Sequence, residues 1–101
     1  MALTITAAYL SEIIKAIRVK ETTTSKEEVT LLIKAAAADL QRRGVGIIDL
    51  DDSLTKQAVK LYCKGHYGYD KDNERFIHAY ESLADGMALF GNYDEDGDSD
   101  G

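Results

Sequence analysis

The stretch from Ser53 to Leu83, SLTKQAVKLYCKGHYGYDKDNERFIHAYESL, limits what this chain can fold into more than any other part of it. Leu54, Ala58, Leu61 and Tyr62 fall at i, i+4, i+7 and i+8, one face of a helix. Ser53 is the expected N-cap, with Asp51 and Asp52 beside it to favour the positive end of the helix dipole. The apolar run then breaks in Gly65-His66-Tyr67-Gly68-Tyr69-Asp70, where two nearby glycines predict a helix end. A second helix restarts after Asp72, with Phe76, Ile77, Tyr80, Leu83, Ala84 and Met87 on its buried stripe. The pair reads as an αα-hairpin, and the remaining segments have to pack against it.

Two further helices precede the hairpin. Thr4 or Thr6 opens the first, whose stripe is Leu10, Ile13, Ile14 and Ile17, with Glu12, Lys15 and Arg18 outside it. The polar, β-branched run Glu21-Thr22-Thr23-Thr24 predicts a linker. Ser25 with Glu28 three residues on predicts a capping box at the start of the second helix. Behind it Val29, Leu32, Ile33, Ala36, Ala37 and Leu40 make a broad apolar face, and the run Ala35 to Ala38 is thin enough to admit a close neighbour. Arg42 and Arg43 suit the C-terminal dipole end, and Gly44 stops the helix. Residues 44–52 could form a short strand only by pairing between subunits, and they read as a loop whose apolar side chains pack down or face a neighbouring molecule. The fold class is therefore all-α: a small four-helix domain over residues 1–91, with a low-complexity acidic tail over 92–101 expected to be disordered.

At 101 residues one modest core is expected, and proline is absent, which suits helices joined by short connections. Net charge is −6, but Asp94, Glu95, Asp96, Asp98 and Asp100 cluster near the C-terminus without a basic partner. Removing those five leaves 13 acids against 12 bases, so the acidity belongs to the tail. A nearly neutral body carries no footprint for sequence-specific DNA binding. No apolar run reaches the ~20 residues of a membrane span. The N-terminal MALTITAAYLSEII lacks a basic region ahead of its apolar residues, so no signal peptide is expected and a cytoplasmic protein is the default expectation.

Signals for chemistry are sparse. Cys63 is the single cysteine and lies in an apolar segment, where a thiol behaves as a small hydrophobe; His66 three residues on has no third group to orient it. Asp96 to Gly101 matches the first half of an EF-hand loop but lacks its position-twelve glutamate. His66 and His78 show no metal-binding spacing, so no metal and no cofactor are expected. Tyr62, Tyr67, Tyr69 and Tyr80 gather round the hairpin turn, either as packing or as a subunit interface. Phosphate loops, nucleophile elbows and paired carboxylates are not found, and no enzyme is expected.

Three segments carry a family resemblance: Leu3-Thr4 leading into Tyr9-Leu10; Glu27-Glu28-Val29-x-x-Leu32-Ile33-x-Ala35-Ala36; and Lys56-Gln57-Ala58-Val59-Lys60-Leu61-Tyr62-Cys63-Lys64-x-His66-Tyr67-Gly68, followed by an acidic turn and the Phe76 to Leu83 helix. Over most of residues 3–85 the chain resembles the head–tail connector (adaptor) proteins of tailed bacteriophages. The resemblance implies a virion neck protein that self-associates, as a dodecamer, into a ring beneath the portal. Such a ring extends the DNA channel, passes the genome without reading its sequence, and offers a platform to the next neck or tail-completion protein. On that basis Val45, Ile47, Ile48, Leu50, Tyr67 and Tyr69 are candidates for subunit contacts. Lys56, Lys60 and Lys64, at i, i+4 and i+8, are candidates to line the channel or meet a neighbour. The tail acids Asp94, Glu95, Asp96, Asp98 and Asp100 are candidates for portal docking. The competing class is a small acidic inhibitor of a host nucleic-acid enzyme, a DNA mimic, which needs acids spread over a folded face rather than gathered in a tail. A helical transcription regulator would need a base-reading helix, and one lysine stripe does not make one.

Overall fold

The computed structural model describes residues 4–67 and 71–89. Among them the chain forms four helices and no strand: α1 (Ala7–Ala16), α2 (Thr23–Arg43), α3 (Ser53–His66) and α4 (Asn73–Leu89). The all-α expectation is met, and residues 45–52 run as a loop.

The starts of α1, α2 and α3 are each made by a side chain that takes an otherwise unpaired backbone N–H. Thr6 caps α1 by accepting from the Tyr9 N–H at 3.1 Å. For α2 the capping box exists but lies one turn earlier than Ser25–Glu28. Thr22 is the N-cap, its Oγ1 accepting from the Ser25 N–H at 3.0 Å, while the Thr22 N–H donates to Ser25 Oγ at 2.8 Å. Ser25 is buried and its hydroxyl donates to the Lys20 carbonyl at 2.8 Å, which ties the linker to the helix it precedes. At α3 the cap is Asp52 rather than Ser53. Its Oδ2 accepts from the Thr55 N–H at 3.0 Å and faces the Thr55 hydroxyl at 3.2 Å, and Thr55 is fully buried. A carboxylate that reaches both groups of a buried threonine displaces the exposed serine beside it.

The helix ends follow the same accounting. Gly44 closes α2 in the left-handed region, φ 113°, and its turn lets the Val45 N–H bond to the Leu40 carbonyl at 2.9 Å. Arg18, φ 60°, makes the corresponding turn after α1 without being a glycine. The break expected at Gly65 falls one residue later, because α3 continues through His66. Gly65 is inside the last turn for a packing reason: a Cβ there would lie 2.5 Å from Ile77 Cγ1 and 3.3 Å from the Ile77 backbone nitrogen. Asn73, the first residue of α4, donates from Nδ2 to the Gly65 carbonyl at 2.8 Å, so the start of one helix satisfies the end of the other.

The core lies in two adjoining clusters. One gathers Tyr9, Ile13 and Ile14 of α1 with Val29, Ile33 and Ala36 of α2 and Val59 and Cys63 of α3. The other joins Leu40 and Val45 to Ala58, Tyr80, Ala84 and Met87. The stripes expected on α2 and α4 are the ones that face inward, with Leu32, Phe76, Ile77 and Leu83 half-buried at their margins.

A polar hub fastens α2 to α4 at the second cluster. Asp39 accepts from the Tyr80 hydroxyl at 2.6 Å and from Arg43 Nε at 2.7 Å, and also pairs with Arg42. Arg43 reaches on to Asp85 at 3.0 Å and Glu81 at 3.8 Å, its guanidinium 5.5 Å from the Tyr80 ring centroid. Burial alone would raise the Asp39 carboxyl, but bonds from Tyr80, Arg43 and Arg42 outweigh it and hold it to about 2.

Two stability predictions come from these contacts. Gly65→Ala drives a methyl into Ile77 and is expected to destabilise by ~1–3 kcal/mol. Gly86→Ala, where a Cβ meets nothing within 4 Å, is expected to stabilise by ~0.5–1 kcal/mol. Urea midpoints of the two variants should therefore move in opposite directions, and a shared direction would refute the α3–α4 contact. At Asp39 the folded carboxyl sits near 2 against 3.8 unperturbed. A depressed acid contributes stability above its unfolded value, and that contribution is lost as pH falls through the folded value. The difference in unfolding free energy between the wild type and Asp39→Asn should be ~2 kcal/mol at pH 7 and shrink between pH 5 and 2. A difference that stays constant over that range would show that Asp39 is not held ionised.

Candidate functional site

The residues expected at a subunit interface fall into different environments. The Gly44 turn drops Val45 straight into the core, fully buried beside Leu40 and Met87, and Leu50 is buried against the first cluster. Both are taken up within the chain, the packed-down alternative of the two expected for this loop. Ile48 is half-buried between the two clusters, and Ile47 alone of the four stands out, 41% exposed. Tyr67 is half-buried against the first cluster. Desolvation, and after it a hydrogen bond with Glu28, raises its hydroxyl pKa. Tyr69 and the tail acids Asp94, Glu95, Asp96, Asp98 and Asp100 lie outside the described residues.

The lysine stripe of α3 is engaged along its whole length. Lys56 Nζ lies 3.3 Å from one Glu12 oxygen and Lys60 Nζ 3.4 Å from the other, so two lysines of α3 clasp one glutamate of α1. The Lys56 bond, with help from Lys60, lowers the Glu12 carboxyl. Lys56 also stands 5.6 Å over the Tyr9 ring, and Lys64 stands 5.3 Å over Phe76 of α4. The stripe thus holds α1 and α4 against α3. The Tyr9 hydroxyl below the clasp is buried without a hydrogen-bond partner, and desolvation raises its pKa far above the usual phenol range.

Where the linker leaves α1, a cleft of about 470 Å³ opens between Ile17, Arg18, Lys64, Tyr67, Asp72 and Phe76. Its charges are of both signs, and Asp72 pairs with Arg75 at 3.6 Å.

The groups that suggested chemistry are absorbed by packing. Cys63 is fully buried, and burial pushes its thiol up to about 12, away from the nucleophilic thiolate. His66 turns from Cys63 to stack on Tyr62, ring centroids 4.2 Å apart, and Tyr62 meets Tyr80 edge-on at 5.1 Å. His78 lies 3.9 Å from Glu81 on the exposed face of α4. Among the described residues no three His, Cys, Asp or Glu side chains are grouped to hold a metal ion, and no helix is long and apolar enough to cross a membrane.

The surface does carry exposed large apolar side chains: Leu31 at 65%, Ile47 at 41%, Leu54 at 47% and Leu89 at 78%. Of these only Ile47 was among the candidate interface residues named from sequence. Leu54 belongs to the apolar face of α3 by spacing, but it lies in the first turn of the helix and stays exposed.

Comparison with known proteins gives one match. A family model described as phage connector protein matches residues 9–90, from the first turn of α1 to the end of α4. No curated protein and no solved structure matches.

Cys63 provides a direct check of the packing that this arrangement rests on. A maleimide at pH 8 should leave the native protein unlabelled and modify Cys63 only in denaturant, with labelling following the unfolding curve. Prompt labelling of the native protein would place the thiol outside the core.

Proposed function

Since this chain belongs to the phage connector protein family, we propose that it is a structural subunit of the virion neck that assembles as a homo-oligomeric ring beneath the portal. In this reading the ring, a dodecamer in the virion, extends the DNA channel and offers its far face to the next neck or tail-completion protein. It passes the genome without reading it and does no chemistry. The observation that carries the reading is the extent of the family match, which takes in all four helices rather than one motif.

Physical features support it. The nearly neutral body bears both charge signs, which suits the head-to-tail contacts of a closed ring, where two different surfaces of neighbouring copies meet. The clustered acids of residues 94–100 would disfavour adhesion to passing DNA, or would dock on a basic surface of the portal. The virion neck is accordingly the proposed location.

The test is light scattering on the purified chain, alone and then mixed with purified portal from the same phage. A ring-sized mass, or co-migration with the portal, is the expected result. A strict monomer that ignores the portal and instead binds a host nuclease or polymerase would overturn the reading in favour of the inhibitor class.

A further inference from the structure

The turn after α1 repeats the turn after α2 with a different residue. After α2, Gly44 at φ 113° lets the Val45 N–H reach the Leu40 carbonyl at 2.9 Å. After α1, Arg18 at φ 60° lets the Val19 N–H reach the Ile14 carbonyl at 3.3 Å, and its own N–H bonds to the Lys15 carbonyl at 3.1 Å. Glycine is the usual residue for such a turn, because a Cβ makes the left-handed region unfavourable. The backbone at 18 therefore gains nothing from arginine, and the side chain has to account for the choice.

That side chain lines the cleft of about 470 Å³ together with Lys64, beside Ile17, Tyr67 and Phe76. Among the described residues the Arg18 side chain makes no hydrogen bond or ion pair, and the Lys64 ammonium has only the Phe76 ring, 5.3 Å away. Lys15 and Lys20 flank Arg18 in the chain, exposed and likewise without an ion pair among the described residues. The acids nearby are engaged: Asp72 with Arg75 at 3.6 Å, Glu21 with Lys26 at 3.7 Å, and Glu28 with the Tyr67 hydroxyl. Lys71 and Glu74, exposed at the start of α4, offset one another. Unspent positive charge therefore gathers where the linker leaves α1.

The chain carries the complementary charge itself. Beyond Arg75 it has no lysine or arginine, and its last residues hold Asp94, Glu95, Asp96, Asp98 and Asp100. Phe76, at the cleft, and Leu89, where α4 ends, are 13 residues apart on one helix, a straight distance of about 20 Å at ~1.5 Å per residue. Extended chain covers roughly 3.3 Å per residue, so Asp94 falls short of the cleft, whereas Asp96, Asp98 and Asp100 reach it at ~23–36 Å. We infer that in the free chain this cleft seats the chain's own acidic C-terminal segment, with Arg18 as the anchor for the carboxylates of Asp96, Asp98 and Asp100. A guanidinium suits that task because its planar fork takes a carboxylate through two hydrogen bonds. The tether favours the same chain over a second copy, since it sets a local concentration on the order of mM. The inference concerns one chain and stands apart from the connector reading.

A nitroxide attached through Ser99→Cys on the full chain tests this, since the native Cys63 is buried and stays unlabelled. At low salt the amide signals of Ala16, Arg18, Tyr67 and Phe76 should lose half their intensity or more, and that of Leu31 should not change. Arg18→Gly should restore those signals while the urea midpoint stays at or above that of the wild type, because glycine suits the left-handed turn. A lower midpoint would show that the arginine serves the fold and would overturn its part as anchor. Replacing Asp96, Asp98 and Asp100 together by Asn should also restore the signals, and Asp94→Asn should not. Signals at the cleft that the nitroxide leaves untouched, or that Arg18→Gly fails to restore, would overturn the seat. In a mixture of isotope-labelled chain without nitroxide and unlabelled chain with it, no loss is expected. Loss at the cleft in that mixture would give the segment to a neighbouring copy and overturn its assignment to the same chain.

Discussion

The close approach of α3 and α4 at Gly65 is the constraint on which the other contacts depend. With no side chain at that position, Ile77 lies against the α3 backbone, and Asn73 can reach the Gly65 carbonyl. The register this sets places Tyr62 edge-on to Tyr80 and brings Ala58 and Ala84 into one cluster. Tyr80 in turn points its hydroxyl at Asp39, and through Asp39 the longest helix is fastened to the hairpin. A Cβ at 65 would meet Ile77 Cγ1 at 2.5 Å and the Ile77 backbone nitrogen at 3.3 Å, so Ile77 and the helix that carries it must give way. The small residue is therefore upstream of the polar hub, although the two do not touch.

Polar groups in this chain mostly fasten helices to one another. Glu12 is gripped by Lys56 and Lys60, Asp39 by Arg42, Arg43 and Tyr80, and Lys64 lies over Phe76. The two hubs differ in kind. The Glu12 clasp is solvent-exposed, and exposed pairs are weak and salt-screened. Asp39 is largely enclosed and receives several donors at once, which is what keeps its carboxylate ionised against desolvation. Attachment of α1 should accordingly soften with salt before the α2–α4 junction does.

Much of the fold was legible because helical periodicity is a local property. The stripes of α1, α2 and α4, the Gly44 stop and the loop after it all follow from spacing and from residue type. The misplaced details share one cause: each depends on a partner distant in sequence or on competition between adjacent caps. Ser25 and Ser53 are good capping residues, but Thr22 and Asp52 find better-placed donors. Gly65 carried a correct signal of something special and the wrong reading of it, since only the position of Ile77 distinguishes a packing glycine from a terminating one. The lysine stripe was seen as a stripe, yet its occupation by Glu12 lies 44 residues away in sequence. The Asp39 hub was half visible, in the spacing of Asp39 to Arg42 and Arg43, whereas Tyr80 could not be paired with it from sequence.

The interface residues show why surfaces are harder to read than cores. A loop of Val45, Ile47, Ile48 and Leu50 has four apolar side chains, and only the path of the backbone decides which turn inward. The Gly44 turn directs Val45 down, and Leu50 is drawn in just before the Asp52 cap, so the pair most hydrophobic in context is the pair least available to a neighbour. What stays outside is set by where helices run past their supports: Leu54 in the first turn of α3, Leu89 in the last turn of α4, and Leu31 on the side of α2 that no other helix covers. Apolar residues in such places are normal one at a time.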